Sequence, residues 1–102
     1  MTKIFMRRYL CVLTSEAGIC RVSVSTGPHG HLKSLQFSSD YRLSLVETFQ
    51  VPAAVADEIK KRVADLLKGA RVFGEWFKVP PETAVVALRL AVKEVTGTTV
   101  DG

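Results

Sequence analysis

Tyr9-Leu10-Cys11-Val12-Leu13, the turn segment Ser15-Glu16-Ala17-Gly18 and Ile19-Cys20-Arg21-Val22-Ser23-Val24-Ser25 together decide the fold. The first run is aromatic and β-branched enough for a strand. The last alternates, with Cys20, Val22 and Val24 on one face and Arg21, Ser23 and Ser25 on the other, the period of a half-buried strand. Gly18 can take the positive φ that a tight turn needs. The stretch predicts a β-hairpin.

Working outward, Thr26-Gly27-Pro28-His29-Gly30-His31 punctuates the chain, and Leu32 and Leu35 then suggest a short helix over His31 to Gln36. Tyr41 to Val51 alternates and reads as a third strand. Pro52 opens a helix whose stripe is Val55, Ile59, Val63, Leu66 and Leu67, stopped at Gly69. Arg71 to Val79 reads as a loop. Pro80-Pro81-Glu82 starts a last helix with a seam of Val85, Leu88, Val92 and Val95, ended by Gly97. The expected class is α+β: a three-stranded antiparallel sheet, a short helix after the hairpin, and two longer helices packed on the sheet. One domain over residues 1–102 is expected, its core about 8–95, with a tail frayed from Thr98 to Gly102.

The 102 residues are 47% hydrophobic and 24% charged, with a formal net charge of +4. That composition excludes wholesale disorder, and no apolar run approaches the ~20 residues of a membrane span. Arg7 and Arg8 precede only Tyr9 to Leu13 before Thr14-Ser15-Glu16 break the run, short of the roughly 7–15 apolar residues of a secretory leader. Two cysteines without C-x-x-C spacing give neither a disulfide framework nor a standard zinc site. Reduced thiols and a cytoplasmic setting are expected.

Several residues carry a chemical reading beside a plain one. Cys11 and Cys20 could ligate metal with His29 and His31, but two buried strand thiols fit the spacing better. The histidines precede or open a helix whose N–H groups could help hold a phosphate, or are simple exposed loop residues. Gly27-Pro28-His29-Gly30-His31 lacks the Gly-Lys-Ser/Thr of a P-loop. Trp76 and Phe77 could stack on an unpaired base or pack beneath the last helix. Glu75 could serve a metal or accept a structural hydrogen bond from backbone. Lys60, Lys61, Arg62 and Lys68, with Arg7, Arg8 and Arg21, are candidates for a phosphate-tracking surface. A solvated helix face diluted by Asp57, Glu58 and Asp65 has the same composition.

Tyr9 to Leu13, the hairpin to Arg21-Val22-Ser23, Pro28 and His31-Leu32-Lys33-Ser34-Leu35-Gln36 resemble the start of the GIY-YIG endonuclease superfamily, in its small phage-type branch. Thr48-Phe49-Gln50-Val51-Pro52 fits the same branch. So does Arg71-Val72-Phe73-Gly74-Glu75-Trp76-Phe77, whose Gly-Glu-Trp-Phe motif is the most specific element. The likeness covers roughly residues 8 to 94. In active members of that family two strand tyrosines and a helix arginine surround the scissile phosphate, and a helix glutamate holds one divalent metal. Here the first Tyr position falls on Cys11, with Tyr9 two residues away on the same strand face. The second falls on Arg21, the motif Gly on Ser23 and the helix Arg on His31, which lacks a bidentate fork. Counting forward from Val51-Pro52 puts the Glu position at Glu58. Counting back from Gly74-Glu75-Trp76-Phe77 puts it at Lys60.

The resemblance therefore implies a phage- or mobile-element-type domain with a degenerate active site, acting without a cofactor by binding DNA or a partner protein. The alternative is a divergent endonuclease dependent on Mg²⁺ or Mn²⁺. In it Tyr9 replaces the missing tyrosine, Arg21 and His31 lie at the phosphate, and Glu58 holds the metal. A third reading is an oligomerising structural protein with an exposed apolar face.

Overall fold

The computed structural model describes residues 7–97. The order is β1 (Arg7–Ser15), β2 (Cys20–Ser25), α1 (Pro28–Phe37), β3 (Leu43–Pro52), α2 (Ala53–Leu66), a 3-10 turn at Lys68–Ala70, β4 (Arg71–Phe73), β5 (Trp76–Phe77) and α3 (Pro81–Thr96). The tail expected to fray lies outside the described residues.

The hairpin forms as its sequence suggests, with β1 and β2 antiparallel from Tyr9 opposite Ser25 to Thr14 opposite Cys20. Gly18 takes φ 83° in the turn, and Ser15 closes it by accepting from the Gly18 N–H at 2.9 Å. β3 pairs with β1 on the other side. Val12 faces Glu47 and Leu13 faces Leu45, so Val46 is an extra, bulged residue on the edge strand. A bulge there discourages pairing with a further strand.

The sheet is not three-stranded. It has five strands in the order β3-β1-β2-β5-β4, because the segment expected to be a loop folds into a second, small hairpin. Gly74 takes φ 52° at the first position of its two-residue turn, a conformation that glycine reaches without steric strain. β5 then pairs with β2, Phe77 opposite Cys20 and Trp76 opposite Arg21. Strands of two and three residues are too short to display a period, which is why the sequence pattern missed them.

The two sheet faces are covered differently. Leu10, Val12, Cys20, Val22, Phe49, Val51 and Phe77 form one core with Ala56, Ile59 and Val63 of α2 and Ala84, Ala87, Leu88, Ala91 and Val92 of α3. Fully burying an Ile or Leu such as Ile59 or Leu88 is worth roughly 1.5–3 kcal/mol. In α3 the expected seam holds at Leu88 and Val92, which are buried. Small alanines sit where it meets α2 and the sheet, and Val85 and Val95 flank the core. Gly97 caps α3 with φ 73°.

On the opposite face α1 lies over Cys11, Leu13, Ser23 and Leu43, which are buried but outside that core. Gln36 fixes the helix there, its side-chain oxygen accepting from the Leu43 N–H at 2.7 Å. No helix among the described residues is long and apolar enough to cross a membrane.

Strand alternation separates the two aromatics of the motif. Phe77 enters the helix-covered core, whereas Trp76 lies on the α1 side instead of beneath the last helix. Phe77→Ala is expected to destabilise the fold by about 3–5 kcal/mol in urea unfolding. Trp76→Ala should cost less than half as much.

Candidate nucleic-acid interface

β5 covers only the first two residues of β2, leaving that edge of the sheet open from Val22 onward. Around the opening four side chains from distant parts of the sequence meet. Arg21 comes from β2, His31 from α1, Lys60 from α2, and Glu75 from the β4–β5 turn. The Arg21 guanidinium donates from Nη2 to Glu75 Oε2 at 2.8 Å and from Nε to Ser23 Oγ at 2.9 Å. Its Cζ lies 5.8 Å from the centroid of the Trp76 ring. Lys60 Nζ pairs with the other Glu75 oxygen, Oε1. Glu75 therefore bonds two side chains rather than backbone.

The electrostatics follow from that crowding. Burial pushes the Glu75 carboxyl up, but the Lys60 hydrogen bond and the charges of Lys60, Arg21 and His31 together hold it below its ordinary value. Burial lowers the His31 pKa, and the positive charges of Arg21 and Lys60 lower it further against the opposing pull of Glu75. A neutral imidazole is the result. Its Nε2 is shielded and has no hydrogen-bond partner among the described residues.

Arg21, His31 and the back-counted position Lys60 thus come together. Glu58 is exposed on α2 and borders the adjoining groove with Lys60 and Glu75, but it is not among the charges that act on His31 or Glu75. Tyr9 lies opposite Ser25, four residues along β2 from Arg21, or about 13 Å at ~3.3 Å per residue. Cys11 is buried under α1, where burial raises its thiol pKa. Cys20 points into the other core, so the two thiols, both free, cannot share an ion. Among the described residues no group of three or more His, Cys, Asp or Glu side chains is placed to hold a metal ion, and each oxygen of Glu75 pairs with a cation.

The wider basic surface divides. Arg62 turns toward α3 and pairs with Glu94, and Arg7 and Arg8 begin β1 opposite Pro52 and Val51. Lys60 and Lys68 instead line a cavity of about 330 Å³ between α2 and the small hairpin, together with Arg71. Lys61 borders the adjoining groove with Lys60. Arg71 was not foreseen because its segment read as a loop.

His31 gives this cluster a pH signature. A pKa depressed below 6.5 in the fold means that the unfolded chain binds more protons, so stability is lost as pH falls below that value. Denaturant midpoints measured from about pH 7 to pH 5 should fall for the native sequence, and His31→Gln should flatten the slope. Glu75 contributes its own loss only below 4.5. No protein-family model, curated protein or solved structure matches this chain.

Proposed function

We propose that this chain is a non-cleaving binding domain of GIY-YIG type that holds the phosphodiester backbone of DNA at the Arg21–His31–Lys60 cluster. The observation that carries the reading is the carboxylate already seated there. A guanidinium and an ammonium grip the oxygens of Glu75, and the same donors suit the oxygens of a phosphate. Glu75 acts as a resident counter-ion that a polyanion displaces. Lys61, Lys68 and Arg71 add cations along the same side of α2, interleaved with Asp57, Glu58 and Asp65.

Cleavage asks for more than this set offers. A group must activate the nucleophile and another must neutralise charge that develops only in the transition state. Arg21 and Lys60 are bound to Glu75 already in the resting protein, and on the count back from Gly74-Glu75-Trp76-Phe77 the family's metal-binding carboxylate falls on Lys60. Such donors hold a phosphodiester in its ground state.

Duplex DNA binding measured by fluorescence anisotropy at two or more salt concentrations tests the proposal. Affinity should fall steeply with salt, by a slope of about 0.9 per phosphate neutralised. Lys60→Gln and Arg71→Gln should each weaken binding and reduce that slope by about one. Glu75→Gln should tighten it, because the resident anion is gone. Plasmid incubated with Mg²⁺ or Mn²⁺ should stay intact. Salt-insensitive binding, or none, would direct the search to a protein partner, and metal-dependent nicking lost in Glu58→Ala would restore the endonuclease reading.

A further inference from the structure

The face of the sheet that carries Arg21 and Trp76 continues into a groove of about 530 Å³ that the phosphate cluster does not use. Its floor is the small hairpin, where Phe73 and Trp76 are cross-strand partners. Its far wall is the C-terminal end of α1 and the turn after it, with Leu35, Asp40 and Tyr41. Arg21 belongs to both places, lining the groove and gripping Glu75.

The aromatics are unusual in being left to solvent. Tyr41 is 54% exposed and Phe73 57% exposed, although each could have been buried at a gain of roughly 1.5–3 kcal/mol for a side chain of this size. Trp76 is half-buried with the Arg21 guanidinium over its ring. Tyr, Phe and Trp around one groove present flat π-faces, with a fixed cation at one end and the carboxylate of Asp40 on the opposite wall. The volume falls within the roughly 300–1,000 Å³ of small-ligand sites.

We propose that this groove receives an unpaired nucleobase of a DNA strand whose adjoining phosphate lies at Arg21. The charge arrangement favours that occupant over a purely apolar one. A nucleotide joins a stacking base to an anion, and the groove joins an aromatic wall to a cation. Asp40 can accept from the exocyclic amine of a base. A paired base is stacked inside its duplex and cannot present both faces to such a wall, so the groove selects single strands, overhangs or extruded nucleotides. This inference rests on the phosphate-binding reading and narrows it to the form of DNA recognised.

The test compares three fluorescein-labelled probes of equal length at one salt concentration: a single-stranded oligodeoxynucleotide, its duplex, and a single strand with abasic sites. The chain has one tryptophan, so quenching of Trp76 emission by unlabelled strands of the same kinds reports the groove without any substitution. The expected result is single-strand binding about tenfold or more tighter than duplex or abasic binding, with Trp76 quenched. Tyr41→Ala and Phe73→Ala, both at exposed positions, should remove about tenfold of single-strand affinity and leave duplex binding within twofold.

Equal affinity for all three probes, with Trp76 unquenched, would overturn the groove while leaving the phosphate reading in place. A single-strand preference unaffected by both substitutions would also overturn it. Binding of no probe would overturn both proposals. A dimer in sedimentation that Tyr41→Ala or Phe73→Ala abolishes would assign the groove to a second copy of the chain and overturn the base site.

Discussion

Two residue pairs organise this molecule: Cys20 opposite Phe77 and Arg21 opposite Trp76, where β5 joins the edge of β2. Because side chains alternate along a strand, one pairing sends Phe77 and Cys20 into the helix-covered core and Trp76 and Arg21 to the other side. The turn that precedes β5 then holds Glu75 at the sheet edge, within reach of α2 below and α1 above. A slip of one residue would exchange the two faces. Phe77 would lose the core and Trp76 would be driven into it, so the register is strongly specified.

The ion pairs at that edge organise rather than stabilise. The Arg21 and Glu75 side chains are 22% and 39% exposed, and partly exposed pairs of this kind contribute at most about 1 kcal/mol. Their weight lies in geometry. Arg21 is fixed from three sides, by Ser23, by Glu75 and by the Trp76 ring, so its long side chain loses little further freedom on meeting a ligand. Preorganisation comes with self-neutralisation, because Glu75 occupies the donors it orients. Under the proposed reading, only a ligand with more negative charge than one carboxylate would compete for those donors.

Much of the architecture was written in local pattern. The β1–β2 hairpin, its two faces and the Gly97 cap all appear where alternation and glycine placement put them. At steps of four along α2 and just past its end, Ile59, Val63 and Leu67 are buried as expected, but Leu66 of the same stripe is 38% exposed. In α3, Leu88 and Val92 are buried as the seam predicts, while Val85 and Val95 only flank a core filled by Ala84, Ala87 and Ala91, where close packing needs small side chains. The small hairpin escaped because two or three residues carry no measurable period. The cluster escaped for another reason. Arg21, His31, Lys60 and Glu75 were each noticed, but their contact depends on pairing across more than fifty residues, and nothing local to Glu75 announces two cations.

The same geometry bears on the register that the sequence left open on α2. Lys60 pairs with Glu75 while Glu58 lines the same groove without such a contact, and a carboxylate at Lys60's position would meet Glu75 as a like charge beside His31, with Arg21 left to balance two anions. The pair Lys60 and Glu75 resolves that conflict by placing the cation on the helix and the carboxylate on the turn. On the count that puts the family Glu at Lys60, the charge on α2 is the reverse of the one the resemblance implies, and a counter-charge stands across from it. Removing Glu75 would leave Arg21 and Lys60 facing each other as like charges, so the helix and the sheet edge are tied together through that one carboxylate.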